Sequence, residues 1–191
     1  KNLDQNNFHV SIGKIKTISN DKYFDSLVIP KKRNKGLFSG QCYLMNKKLT
    51  EAIFPVNDNL PNEDTWISTF LKYAKNINIY HSNIICCYYR IHDGNSMRKD
   101  LKYSEYNKKI NLRHQAFKLI TKFKSEYFSS QKLLFINQLS EMEKLRFKGN
   151  FFSLLFYPSK SFEKLRFLIN SNKNIYKLKI FIYKYIVGKF Q

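Results

Sequence analysis

The sequence predicts an α/β architecture followed by a helical region, and three observations carry that reading. Short β-branched segments alternate with amphipathic helical patterning over residues 1–100. From Ser104 onward apolar residues recur only at three- and four-residue spacing. The charge changes at the same place: residues 1–100 hold 15 basic and 9 acidic side chains, and residues 101–191 hold 19 and 5.

The chain has 191 residues, 43% of them hydrophobic and 16% aromatic, enough to bury a core and too apolar for a disordered segment. Its formal charge of +20 makes polyanions or an anionic membrane surface the first partners to consider. Three cysteines, Cys42, Cys86 and Cys87, form no disulfide framework, and adjacent cysteines are poor partners for each other, so reduced buried thiols are expected. No apolar run approaches the roughly 18–20 residues of a membrane-spanning helix.

Phe8–Ile18 alternates and is β-branched in places, which predicts a strand with a bend at Gly13. A polar loop through Pro30–Gly36 leads into Leu37–Met45, an apolar segment broken by Gly40 and expected to be a buried strand. Asn46–Ile53 suits a short helix, and Phe54–Pro61 is dense in turn formers. Asn62 is placed to cap a helix whose first turn holds Glu63 and Asp64, with Trp66, Ile67, Phe70, Leu71 and Ala74 at helical spacing. Ile77–His81 and Ile84–Ile91 read as two short strands, followed by a polar turn at His92–Ser96. Beyond it, Ile110, His114, Phe117, Ile120 and Phe123 form one helical stripe and Leu133, Ile136, Leu139 and Met142 another. Pro158 separates these from a last helical pair, in which Ile175, Leu178, Ile182 and Ile186 oppose Lys173, Lys177 and Lys184.

Three groups of residues bear on chemistry: Gly36-Leu-Phe-Ser-Gly40, Pro61-Asn-Glu-Asp-Thr-Trp66, and Tyr89-Arg-Ile-His92 followed by Asn95 and Ser96. Singly, each has a structural explanation. Acidic residues in a first helical turn are favoured by the macrodipole, Trp66 shares a stripe with Phe70, and Arg90 and His92 suit an exposed strand end. In this order, from Phe38 to Ser96, they resemble the second half of a family 2 glycosyltransferase with the GT-A fold. The resemblance implies a partial GT-A mixed sheet in residues 1–100, the acceptor-side half of a catalytic domain, with a basic α-helical region in 101–191.

That family transfers a sugar from a nucleotide-sugar donor to a hydroxyl acceptor, here a glycan or lipid-linked acceptor in cell-surface glycan synthesis, with inversion. Such a reaction needs a base for the acceptor proton, a sink for the leaving diphosphate and a wall that orients the acceptor. The resemblance assigns the base to Asp64 and places Glu63 on the acceptor side. It puts Gly40 and Trp66 against the substrate, although the stripe with Phe70 favours the core for Trp66. Arg90, Asn95 and Ser96 would contact the diphosphate, and His92 would be the imidazole ligand of a divalent cation, Mn or Mg.

The family's Asp-x-Asp cation motif occurs nowhere in the chain, and the first residue is Lys1, not Met. The expectation is therefore a portion of a longer enzyme, with the nucleotide-binding half and its Asp-x-Asp upstream, and no turnover by these 191 residues alone. From Lys144 to Gln191 eleven basic residues face one acidic residue, Glu163, with aromatics between them. That tail suits an anionic membrane surface, and so a cytoplasmic protein held peripherally at the inner face of the cell membrane. A nucleic-acid-binding module ranks lower, since no zinc-finger, RRM or helix-turn-helix pattern is present.

Overall fold

The computed structural model describes residues 7–20, 22, 24–92, 102–159 and 162–185, with side chains described through 182. The protein is mixed α/β and divides into two compact units, residues 1–96 with 126–129 and residues 97–125 with 130–191. The return of 126–129 to the first unit was not expected.

In the first unit, β1 (Phe8–Ile18) is the central strand of a four-stranded mixed sheet. Two short strands, β2 (Val28–Ile29) and β3 (Tyr43–Met45), run antiparallel to it, pairing Ile15 with Ile29 and Ile12 with Tyr43. The long β4 (Ile77–Arg90) is parallel to β1, from Phe8 opposite Ile77 to Ile18 opposite Arg90. A parallel neighbour needs a crossover, and the chain between β3 and β4 supplies it with α1 (Lys47–Ile53) and α2 (Asp64–Tyr73). Burial of Val10, Ile12 and Ile15 accounts for the apolar character of β1. Lys14, also buried, donates its ammonium to the carbonyl of Lys32 at 2.9 Å.

Three sequence expectations change here. Ile77–Arg90 is one strand, not two, because the chain stays paired to β1 across a register shift on each side of Lys14. Leu37–Met45 is not a continuous strand: a 3-10 turn at Gly40–Cys42 precedes three strand residues. Asn62 does not cap α2. The helix begins at Asp64 with Glu63 at the N-cap position, while the carboxylate of Asp64 turns away to another segment.

The short helix expected at Asn46–Ile53 forms over Lys47–Ile53, with Asn46 as its N-cap. Asn46 accepts the N–H of Leu49 at 3.2 Å through its side chain and that of His9 at the same distance, joining α1 to β1. Leu49, Ile53, Trp66, Phe70 and Leu71 build the core between these helices and the sheet. Segment 126–129 closes it: Phe128 packs edge-on against Phe70, and the carbonyl of Tyr127 accepts the N–H of Lys75.

The second unit is helical: α3 (Tyr103–Phe123), α4 (Ser130–Phe147), α5 (Phe151–Leu155), α6 (Phe162–Ile169) and α7 (Lys173–Tyr185). Phe117 and Ile120 on α3 and Ile136, Leu139 and Met142 on α4 are buried as their spacing predicted, whereas Phe123 is exposed. Helix α4 ends on Gly149 with φ of +75°, and the N–H groups of Gly149 and Asn150 return to the carbonyls of Arg146 and Leu145. That paired return is a Schellman stop, and it requires the left-handed conformation glycine adopts without strain. Arg146, only 1% exposed, donates twice to Glu143, and His114 lies 2.8 Å from the same carboxylate. On α7 the expected apolar face is not the buried one: Tyr176 is buried, while Leu178 and Ile182 face outward. Ile186 lies outside the described residues.

Candidate functional site

Gly40 and the Glu63–Asp64 pair, 24 residues apart in sequence at their acidic end, come together. The backbone N–H of Gly40 donates to Asp64 Oδ1 at 2.9 Å. A Cβ at Gly40 would lie 2.9 Å from Glu63 Oε1, so a side chain there would push the end of Glu63 aside, whereas Asp64 Oδ1, at 3.5 Å, would be in ordinary contact. The turn at Gly40–Cys42 is held in turn by β4, where the thiol of Cys87 reaches the amide oxygen of Gln41 at 3.2 Å.

Gly40 and Glu63 border an open cleft of about 610 Å³, whose far wall is the turn-rich loop with Phe54, Val56, Asn57 and Pro61. Asp64 is half-buried near Tyr43 and is not among the residues lining the cleft. Burial, and next the nearby Asp64 carboxylate, push the Tyr43 hydroxyl well above the usual phenol range. That hydroxyl is buried with no hydrogen-bond partner among the described residues. Unpaired buried hydroxyls are uncommon, and this one adjoins the carboxylates. Sequence reasoning passed over Tyr43, because nothing in its spacing signals that β3 carries it to the start of α2.

The cysteine expectation holds in part. Burial pushes the Cys42 thiol up to about 11, as expected of an inert buried thiol, but Cys86 is exposed.

Trp66 needs correction as a substrate-binding residue. It is 1% exposed and donates its indole N–H to the carbonyl of Ile53 at 3.0 Å, so neither ring face is open to a sugar. Arg90 is the last residue of β4, exposed and opposite Ile18, and His92 is exposed two residues on. Ile18 is six positions along β1 from Ile12, the partner of Tyr43, a run of roughly 20 Å at strand spacing. The sheet register thus does not bring Arg90 and His92 together with the carboxylates. Asn95 and Ser96 lie outside the described residues.

Among the described residues no group of three or more His, Cys, Asp or Glu side chains converges; Asp64 opens α2, and His92 follows the far end of β4. Likewise no helix among the described residues is long and apolar enough to cross a membrane. No family model, curated protein or solved structure matches the chain.

Proposed function

We propose that the first unit is the acceptor side of an inverting, family 2-like glycosyltransferase of the GT-A type. The observation that supports this reading most is that Gly40, which borders the open cleft together with Glu63, donates its N–H to Asp64, so that three residues the resemblance gives to the site come together.

In this reading the acceptor glycan enters the cleft past Phe54 and Asn57, with Glu63 orienting it by hydrogen bonds to its hydroxyls. Asp64, fixed through Oδ1 by the Gly40 N–H, uses Oδ2 to take the proton of the attacking hydroxyl. The acceptor oxygen forms its bond to the anomeric carbon as the bond to the diphosphate breaks, and the leaving nucleotide takes that electron pair.

The donor nucleotide and the cation's Asp-x-Asp ligands belong, in this reading, to a nucleotide-binding half outside these 191 residues. Strand β4 pairs with β1 alone among the described residues and exposes Ile84 and Tyr88, which suits it to receive such a half.

The test is Asp64→Asn in the natural polypeptide that carries these residues, with transfer and donor binding measured separately across a panel of nucleotide sugars. Loss of transfer with donor binding retained is expected. Were the chain a non-catalytic basic module, the substitution would alter neither.

A further inference from the structure

In the second unit, α5 and α6 present aromatic side chains to solvent in a way a solvated helix does not. Phe152 is 73% exposed, Phe156 80% and Phe162 93%, with Leu155 and Leu165 exposed beside them. The placement is regular. Phe152, Leu155 and Phe156 stand at i, i+3 and i+4, and the N–H of Phe156 bonds to the carbonyl of Phe152, so the three share one face of α5. Phe162 and Leu165 share a face of α6 with Arg166, itself largely exposed. The opposite side of the pair is anchored by buried Leu154 and Phe167.

We propose that this α5–α6 turn is an insertion element for an anionic lipid bilayer, with Phe152, Phe156 and Phe162 entering the headgroup and acyl boundary. Charge decides the occupant. Residues 144–191 carry eleven Lys or Arg against one acidic residue; Arg146 is buried against Glu143, and Lys148, Arg166, Lys173 and Lys177 are exposed. A cationic surface around apolar tips is complementary to anionic headgroups over hydrocarbon. A second copy of the chain would bring a like-charged surface against this one, and like charges facing each other oppose association. Aromatic tips are also more than a basic patch needs for attraction alone. The inference is independent of any transferase activity.

Co-sedimentation of the full chain with phosphatidylcholine vesicles, with and without about one-quarter phosphatidylglycerol, tests it. Binding to the anionic vesicles that weakens with salt is expected, together with a loss of at least about tenfold in the F152S/F156S/F162S variant. These side chains are exposed, so the variant should keep the parental melting temperature. In a second measurement, Phe156→Trp should be quenched by brominated phosphatidylglycerol, while buried Trp66 should not. Absence of binding, or equal binding by the triple variant, overturns the proposal. So does a concentration-dependent dimer that disappears in the triple variant without vesicle binding, which would make the face a self-interface.

Discussion

The carboxylate of Asp64 accepts the backbone N–H of Gly40 at 2.9 Å, tying the start of α2 to the turn that leads into β3. This bond separates the structural role of Asp64 from its proposed chemical one. An asparagine keeps an acceptor oxygen for Gly40, whereas alanine leaves that N–H without its partner. Thermal unfolding should show Asp64→Asn close to the parent and Asp64→Ala less stable by about 1.5–3 kcal/mol, the usual range for a hydrogen bond to a charged group.

Tyr43 makes the opposite prediction. Its buried hydroxyl is unpaired among the described residues, so Tyr43→Phe removes a desolvated polar atom without breaking a bond. Stability should stay level or rise by about 1 kcal/mol in denaturant titration.

Two glycines should respond differently to alanine. At Gly36 the new Cβ would collide with the carbonyl of Ile12, a backbone group of the central strand that cannot yield, whereas at Gly40 it meets the mobile end of Glu63. Gly36→Ala should strongly destabilise the first unit, as judged by the fluorescence of Trp66, the chain's single tryptophan. Gly40→Ala should fold and displace Glu63 from the cleft.

Much of this fold could be read from residue spacing. β1, α1 and the buried stripes of α3 and α4 follow from local alternation and periodicity, because one buried face imposes a period on the sequence. β4 could not be divided correctly, since whether Ser82 and Asn83 interrupt a strand depends on the pairing with β1. The start of α2 is not legible locally, because the Asp64 carboxylate serves the N–H of Gly40, 24 residues earlier. Trp66 shows the same limit: its stripe pointed to the core, and only the indole bond to Ile53 decides it. The role of Phe128 was invisible, because its partner Phe70 is 58 residues earlier.

Phe128 therefore carries a prediction of its own. It lies beyond residue 100 yet packs in the first unit, so Phe128→Ala should cost that unit about 3–5 kcal/mol and shift the Trp66 transition.

In the second unit, Glu143 is buried against Arg146 and His114. Burial by itself would raise its pKa, but the hydrogen bonds from Arg146 and His114 outweigh it and hold the carboxyl below its ordinary 4.5. The unfolded chain then binds the proton first, so this stabilisation is present above pH 4.5 and is lost as pH falls through the lower folded value. Glu143→Gln leaves the Arg146 guanidinium buried without its counter-charge and should cost about 3–5 kcal/mol at neutral pH. It should also flatten the acid limb of the stability profile, measured by denaturant midpoints from pH 3 to 7.

The most direct measurement for the central claim is acceptor transfer by the natural polypeptide bearing these residues, compared between wild type, Asp64→Asn and Glu63→Gln, with melting temperatures alongside. We predict that Asp64→Asn lowers kcat by at least about a hundredfold at unchanged stability, as loss of a positioned general base does. Glu63→Gln should act mainly on KM for the acceptor. Transfer by Asp64→Asn at the wild-type rate would contradict the account.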